Sequence, residues 1–60
     1  MTSLKLLRLQ CGLIQMEVAA RAKISTSRIS LIENGRVKPS GDEAARLARA
    51  LGVETADLPL

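Results

Sequence analysis

The segment that decides the fold comprises residues 25–38, STSRISLIENGRVK. Ile29 and Ile32 lie three positions apart, which is the spacing of one helical face. Small hydrogen-bonding side chains and one arginine occupy the rest of this short helix, and Asn34 and Gly35 end it. Two further cations follow within the segment. A small helix rich in donors and flanked by cations is suited to contact with a nucleic-acid groove.

The surrounding pattern predicts an all-α chain with one domain over residues 1–60. Four helices are expected at about 2–11, 15–22, 26–33 and 41–51, and a short helical turn is expected near residues 54–58. Thr2 or Ser3 is expected to cap the first helix, and glycines follow the first and fourth helices. Ser40 and Glu43 have the spacing of a capping box at the start of the fourth.

The composition excludes several classes of site. The chain has 60 residues, no histidine, no aromatic residue and one cysteine, so neither an internal disulfide nor a four-ligand zinc site can form. Asp42 and Glu43 suit a helix N-terminus rather than a catalytic pair. We therefore expect no enzyme, cofactor or small-molecule ligand. Cys11 is expected to be a buried residue on the first helix, in one apolar stripe with Leu4 and Leu7.

Charge divides the chain into two parts. Residues 1–40 carry seven cations and two acids, a net charge of +5, whereas residues 41–60 carry two cations and four acids, a net charge of −2. This asymmetry favours a polyanionic partner on one side, although ordinary solvated charge explains it equally well. Lys5 and Arg8 interrupt the apolar N-terminal stretch, which excludes a signal peptide or membrane span. We expect a soluble, cytoplasmic protein.

The ordered motifs along the chain resemble the helix-turn-helix domain of the phage repressor and Cro family. They are Leu7-Arg8, Gly12-Leu13-x-Gln15-x-x-Val18-Ala19, Ile24-Ser25, Ile29-x-x-Ile32-Glu33-Asn34-Gly35, Pro39-Ser40 and Leu47-Ala48-x-Ala50-Leu51-Gly52-Val53. The resemblance implies a five-helix, lambda-repressor-like DNA-binding domain in which helices 2 and 3 form the motif. Helix 3 then enters the major groove of double-stranded DNA, and helix 2 crosses above it.

Three positions depart from the family pattern. Lys23 stands where the turn between helices 2 and 3 often has glycine, a position that favours positive φ. Ile14 stands where serine or threonine often caps helix 2, and Ala44 stands where a larger aliphatic residue is common. All three departures lower the expected stability, and none lies among the groove-facing residues.

The resemblance assigns roles to individual residues. The expected base contacts are Thr26, Ser27, Arg28 and Leu31. The expected phosphate contacts are Gln15, Ser25, Ser30, Asn34, Arg36 and Lys38. Arg28 suits guanine and phosphate equally, and Leu31 suits a thymine methyl group better than the core. Ser30 can also face solvent, and Asn34 can also close helix 3. Arg8 and Glu33 are expected to form a structural ion pair beneath the DNA-binding surface.

The expected function is a sequence-specific regulator of transcription, of repressor type, that binds a two-fold operator as a homodimer. The expected dimer surface is Val53, Leu58, Pro59 and Leu60. The family points to a bacterial or phage-encoded protein associated with the nucleoid. A protein-interaction module or antitoxin with the same fold is the alternative, and Leu6 and Leu9 are its candidate surface.

Overall fold

The structure is a computed structural model that describes residues 3–59. Within that range the chain is helical and contains no strand. The elements are α1 (Ser3–Gln10), α2 (Gln15–Ala22), α3 (Thr26–Glu33), α4 (Gly41–Leu51) and a 3₁₀ helix (Thr55–Asp57). The ranges of α2, α3 and α4 coincide with those expected from the sequence. The short helical turn expected near residues 54–58 is this three-residue 3₁₀ helix, so residues 3–59 contain four α-helices and not the five that the resemblance implied. Thr2 lies outside the described residues, and Ser3 is the first residue of α1.

Local hydrogen bonds explain where the helices begin. Ser25 Oγ accepts the backbone N–H of Arg28 at 3.2 Å, which caps α3. The predicted capping box of α4 is confirmed, because Ser40 Oγ accepts from Glu43 N at 3.2 Å and Glu43 Oε1 accepts from Ser40 N at 2.9 Å. Ile14 offers no side-chain acceptor to α2, as expected. The Glu17 carboxylate compensates in part by accepting the Ile14 N–H at 3.0 Å.

The core is aliphatic and lies between α2, α3 and α4. Helix α2 packs against both α3 and α4, α1 packs on α3, and the 3₁₀ helix packs on α4. Small residues on the inner faces of α2 and α4 let these helices approach closely. The buried apolar residues are Leu4, Leu13, Val18, Ala19, Ala22, Ile24, Ile29, Ile32, Ala44, Leu47, Ala48, Leu51 and Leu58.

Cys11 is exposed, so its expected burial on α1 is wrong. Helix α1 ends at Gln10, and the backbone then turns through Gly12, which has φ +72°. Cys11 therefore lies after the last residue of α1, and helical spacing from Leu4 no longer fixes the side on which it lies. Its Sγ lies 3.6 Å from the carbonyl oxygen of Leu51.

The turn between α2 and α3 has the backbone conformation that the sequence suggested. Lys23 adopts φ 56° and ψ 45°, in the left-handed region, and its N–H donates to the carbonyl of Ala19. Arg46 of α4 donates from Nη1 to the Lys23 carbonyl oxygen at 3.1 Å. Helix α4 thus stabilises a turn that lacks the preferred glycine.

None of the helices within residues 3–59 is long and apolar enough to cross a membrane. The longest, α4, has 11 residues.

Candidate nucleic-acid interface

A buried ion pair joins α1 to the end of α3. Arg8 Nε donates to Glu33 Oε2 at 2.6 Å, and Arg8 Nη2 donates to Glu33 Oε1 at 3.2 Å. The two side chains are only 7% and 3% exposed, respectively. Arg8 Nη1 also donates to the Leu13 carbonyl oxygen at 2.9 Å, so the guanidinium fixes the loop before α2 as well. The structure brings together the two residues that the sequence paired.

Gln15 joins this network from the first position of α2. Its Nε2 donates to Glu33 Oε1 at 3.0 Å, so one carboxylate receives bonds from both Arg8 and Gln15. The Gln15 amide retains a second N–H and its carbonyl oxygen for other partners. The end of α3 therefore sets the orientation of the side chain expected to contact phosphate. The sequence suggested the contact of Glu33 with Arg8 and missed its contact with Gln15.

The outer face of α3 presents the groups expected to meet base edges. Thr26 and Ser27 are exposed, and their side chains make no hydrogen bond within residues 3–59. Leu31 is 40% exposed, which excludes the core alternative for this residue. Ile29 and Ile32 are buried on the opposite face and anchor the helix. We call Thr26, Ser27 and Leu31 the recognition face.

Arg28 has a partner that the sequence analysis missed. Its Nε donates to Glu43 Oε2 at 2.5 Å, and its Nη2 donates to Glu43 Oε1 at 2.8 Å. The hydrogen bond from Arg28, followed by the backbone bond from Ser40, lowers the pKa of Glu43 from its ordinary value of 4.5 to about 2. The same bond raises the pKa of Arg28. A carboxylate has about four acceptor positions, and the capping box does not use all of them. The sequence could therefore have indicated a second hydrogen-bond partner for Glu43.

The expected phosphate contacts flank the recognition face. Arg36 and Lys38 are exposed beyond the end of α3. Asn34 closes α3 through its backbone N–H, which bonds to the carbonyl of Ser30. The Asn34 side chain donates to Ser30 Oγ at 3.5 Å. Ser25 is exposed, and its hydroxyl oxygen already accepts at the helix cap, so its O–H is left to donate outward.

The expected dimer surface is only partly available. Leu58 is buried in the core, which corrects its assignment to an exposed surface. The 3₁₀ helix turns the chain back onto α4 and carries the Leu58 side chain inward. Val53 and Pro59 are half-buried, and Leu60 lies outside the described residues.

The described residues offer no group of three or more His, Cys, Asp or Glu side chains that could hold a metal ion.

Two packed helices joined by a tight turn, with a polar outer face on the second, define a helix-turn-helix DNA-binding domain. A family model described as helix-turn-helix matches residues 4–58. The chain belongs to this family, that of the phage repressor and Cro-type regulators. Neither a search of curated proteins nor a search of solved structures found a significant match.

Proposed function

We propose that this chain is a sequence-specific, double-stranded DNA-binding regulator of transcription whose helix α3 enters the major groove. The observation that carries the proposal is the division of α3 into two faces. Ile29 and Ile32 anchor it in the core, while the recognition face is exposed and has no hydrogen-bond partner within residues 3–59. The major groove admits a helix and presents a distinct pattern of donors, acceptors and methyl groups for each base pair.

The recognition face offers two kinds of base contact. The hydroxyls of Thr26 and Ser27 donate or accept, and therefore select base edges moderately. Leu31 lies one helical turn beyond Ser27 and offers an apolar contact to a thymine methyl group.

The flanking polar residues position this face on the DNA backbone. Gln15 sits at the start of α2, where free N–H groups and the helix dipole favour a phosphate. Arg36 and Lys38 approach the backbone from beyond the other end of α3. The remaining phosphate contacts that we propose are Ser25, Ser30 and Asn34. Such contacts fix orientation and supply most of the salt-dependent affinity.

We propose that two copies bind a two-fold operator. The Cα extents of residues 3–59 are 23 × 22 × 21 Å, whereas successive half-sites lie about 34 Å apart. One copy therefore spans less than a full turn of DNA, and a second copy would double the number of bases read. Val53 and Pro59 are the accessible residues that we propose for contact between copies.

Selection of bound sequences from a random DNA pool tests the proposal. We expect enrichment of a site with two-fold symmetry. We also expect the logarithm of the binding constant to fall linearly with the logarithm of the salt concentration. In the selected site, Leu31→Ala is expected to reduce discrimination at one base pair by about 1 kcal/mol or more. Arg36→Ala is expected to weaken binding to all sequences uniformly and to reduce the salt slope by about 1 per bound copy. Absence of enrichment by the folded protein would overturn the function.

A protein-interaction role is the second candidate, and the exposure of Leu6 and Leu9 on α1 favours it. These residues are three positions apart and therefore share one side of the helix. If this face binds a protein, replacing both leucines by glutamine leaves DNA affinity unchanged. If the chain acts only as a protein-binding module, the pool selection fails while the fold is intact.

A further inference from the structure

The Arg28–Glu43 pair connects the recognition helix to the start of α4. Two N–H groups of one guanidinium meet the two oxygens of one carboxylate, at 2.5 and 2.8 Å. This parallel, two-bond arrangement is the strongest geometry for an arginine and a carboxylate. Arg28 is 40% exposed in its side chain, whereas Glu43 is only 13% exposed.

Glu43 is held in place independently of Arg28. Its Oε1 accepts the Ser40 N–H, and its own N–H donates to Ser40 Oγ, so the carboxylate is part of the first turn of α4. Ala44, the next residue, is buried in the core. Glu43 therefore cannot follow Arg28 toward a ligand that binds on the outer face of α3.

We propose, resting on the DNA-binding function proposed above, that Glu43 withholds Arg28 from DNA. Arg28 is then a positioning residue that fixes the first turn of α3 against α4. The DNA bases are then contacted by the recognition face, which contains no cation. Glu43 is the residue that keeps Arg28 out of this contact. The proposal changes the role of Arg28 from the base or phosphate contact that the sequence suggested.

Exchange of partners by Arg28 would gain little. A phosphate offers two oxygens, as Glu43 does, so the new bonds only replace the old ones. The exchange would also leave the Glu43 carboxylate unpaired, mostly buried and close to a polyanion.

The paired residues have no net charge, which gives the proposal a distinctive test. Each phosphate neutralised by a free cation contributes about 0.9 to the slope of log K against log salt. A neutralised Arg28 contributes nothing to that slope. We therefore compare wild-type protein with Arg28→Met, Glu43→Gln and the double variant on the DNA site that the wild type selects.

Arg28→Met leaves the Glu43 carboxylate unpaired beside the DNA, so we expect this variant to bind more weakly than the wild type. Glu43→Gln preserves the capping box, because glutamine serves at that position, but leaves Arg28 as a free cation. We expect its slope to be steeper by about 0.9 per bound copy and its affinity at 0.1 M salt to rise by up to roughly tenfold per copy. The double variant, which removes both charges of the pair, is expected to keep the wild-type slope within about 0.3 per copy, a third of the single-phosphate increment.

Asp42→Asn is the matched control. It removes one negative charge from the same turn of α4, but Asp42 is 82% exposed and pairs with Arg46 rather than Arg28. An increase in slope for Asp42→Asn as large as that for Glu43→Gln would assign the effect to general electrostatics and overturn the proposal. Circular dichroism of each variant establishes that it is folded, and if Glu43→Gln unfolds, the slope of the double variant decides.

Two results separate this inference from the proposed function. If the wild type selects a site and the double variant loses about 0.9 of slope per bound copy, or at least tenfold discrimination at one base pair of a half-site, Arg28 contacts DNA and only the inference fails. If the folded wild type selects no sequence, the proposed function fails and the inference falls with it.

Discussion

Glu33→Ala is expected to remove most of the stability of this domain. The substitution deletes the acceptor of three hydrogen bonds, two from Arg8 at 2.6 and 3.2 Å and one from Gln15 at 3.0 Å. The Arg8 side chain, 7% exposed in the intact protein, then keeps the Leu13 carbonyl as its remaining partner within residues 3–59. Breaking a buried ion pair in this way costs about 3–5 kcal/mol.

That loss is comparable to the whole stability of the chain. At roughly 0.05–0.15 kcal/mol per residue, 60 residues give about 3–9 kcal/mol. A loss of 3 kcal/mol lowers the melting temperature of such a small domain by roughly 12–24 °C. We therefore expect Glu33→Ala to be partly or wholly unfolded at room temperature.

Urea unfolding followed by circular dichroism measures the effect, since the chain has no tryptophan or tyrosine to serve as a fluorescent probe. Glu54→Ala is the matched control, because Glu54 is exposed and makes no side-chain cap. The double variant Arg8→Met, Glu33→Leu is expected to recover most of the loss, because it leaves no buried charge unpaired. A loss below about 1 kcal/mol for Glu33→Ala would refute the reasoning, as would a larger loss for Arg28→Ala.

Three further predictions concern stability, pH and reactivity. Lys23→Gly should raise the free energy of unfolding by about 0.5–1 kcal/mol, because the strain relieved at this left-handed position exceeds the cost of the greater unfolded-state entropy of glycine. A lower urea midpoint would contradict this. Glu43 has a folded pKa of about 2, below its ordinary 4.5, so its stabilisation is complete above about pH 4.5 and is lost as pH falls toward 2. Glu43→Gln should abolish that part of an acid titration of stability, whereas Asp42→Asn should retain it. Cys11 should react with a thiol reagent in native buffer as fast as in urea; strong protection would show that it is buried.

Two kinds of feature of the candidate site could be predicted from the sequence. They are those set by interactions between nearby residues and those implied by the family resemblance. The helical spacing placed Ile29 and Ile32 inside. The family resemblance implied the outward recognition face and the pairing of Arg8 with Glu33. It did not show that Glu33 also accepts from Gln15, 18 residues away, or that Glu43 accepts from Arg28, 15 residues away. A carboxylate has several acceptor positions, so a role within one helix does not exhaust its partners.

The sequence by itself determined the helices α2, α3 and α4. The signals that mark their ends are local, because Ser25, the Ser40–Glu43 box and Gly52 act within a few residues of each helix end. The left-handed conformation of Lys23 was also expected from its position in the turn, although a hydrogen bond from Arg46 of α4 stabilises it.

Only the tertiary structure decided which side chains meet across the fold. The burial of Leu58 depends on how the last turn folds back onto α4, and the exposure of Cys11 depends on where α1 stops. Above all, the packing of α3 beside the start of α4 brings Arg28 to Glu43. Helical periodicity gives the face on which a side chain lies, but the partner on that face is set by the positions of whole helices, which follow from burial of the shared core.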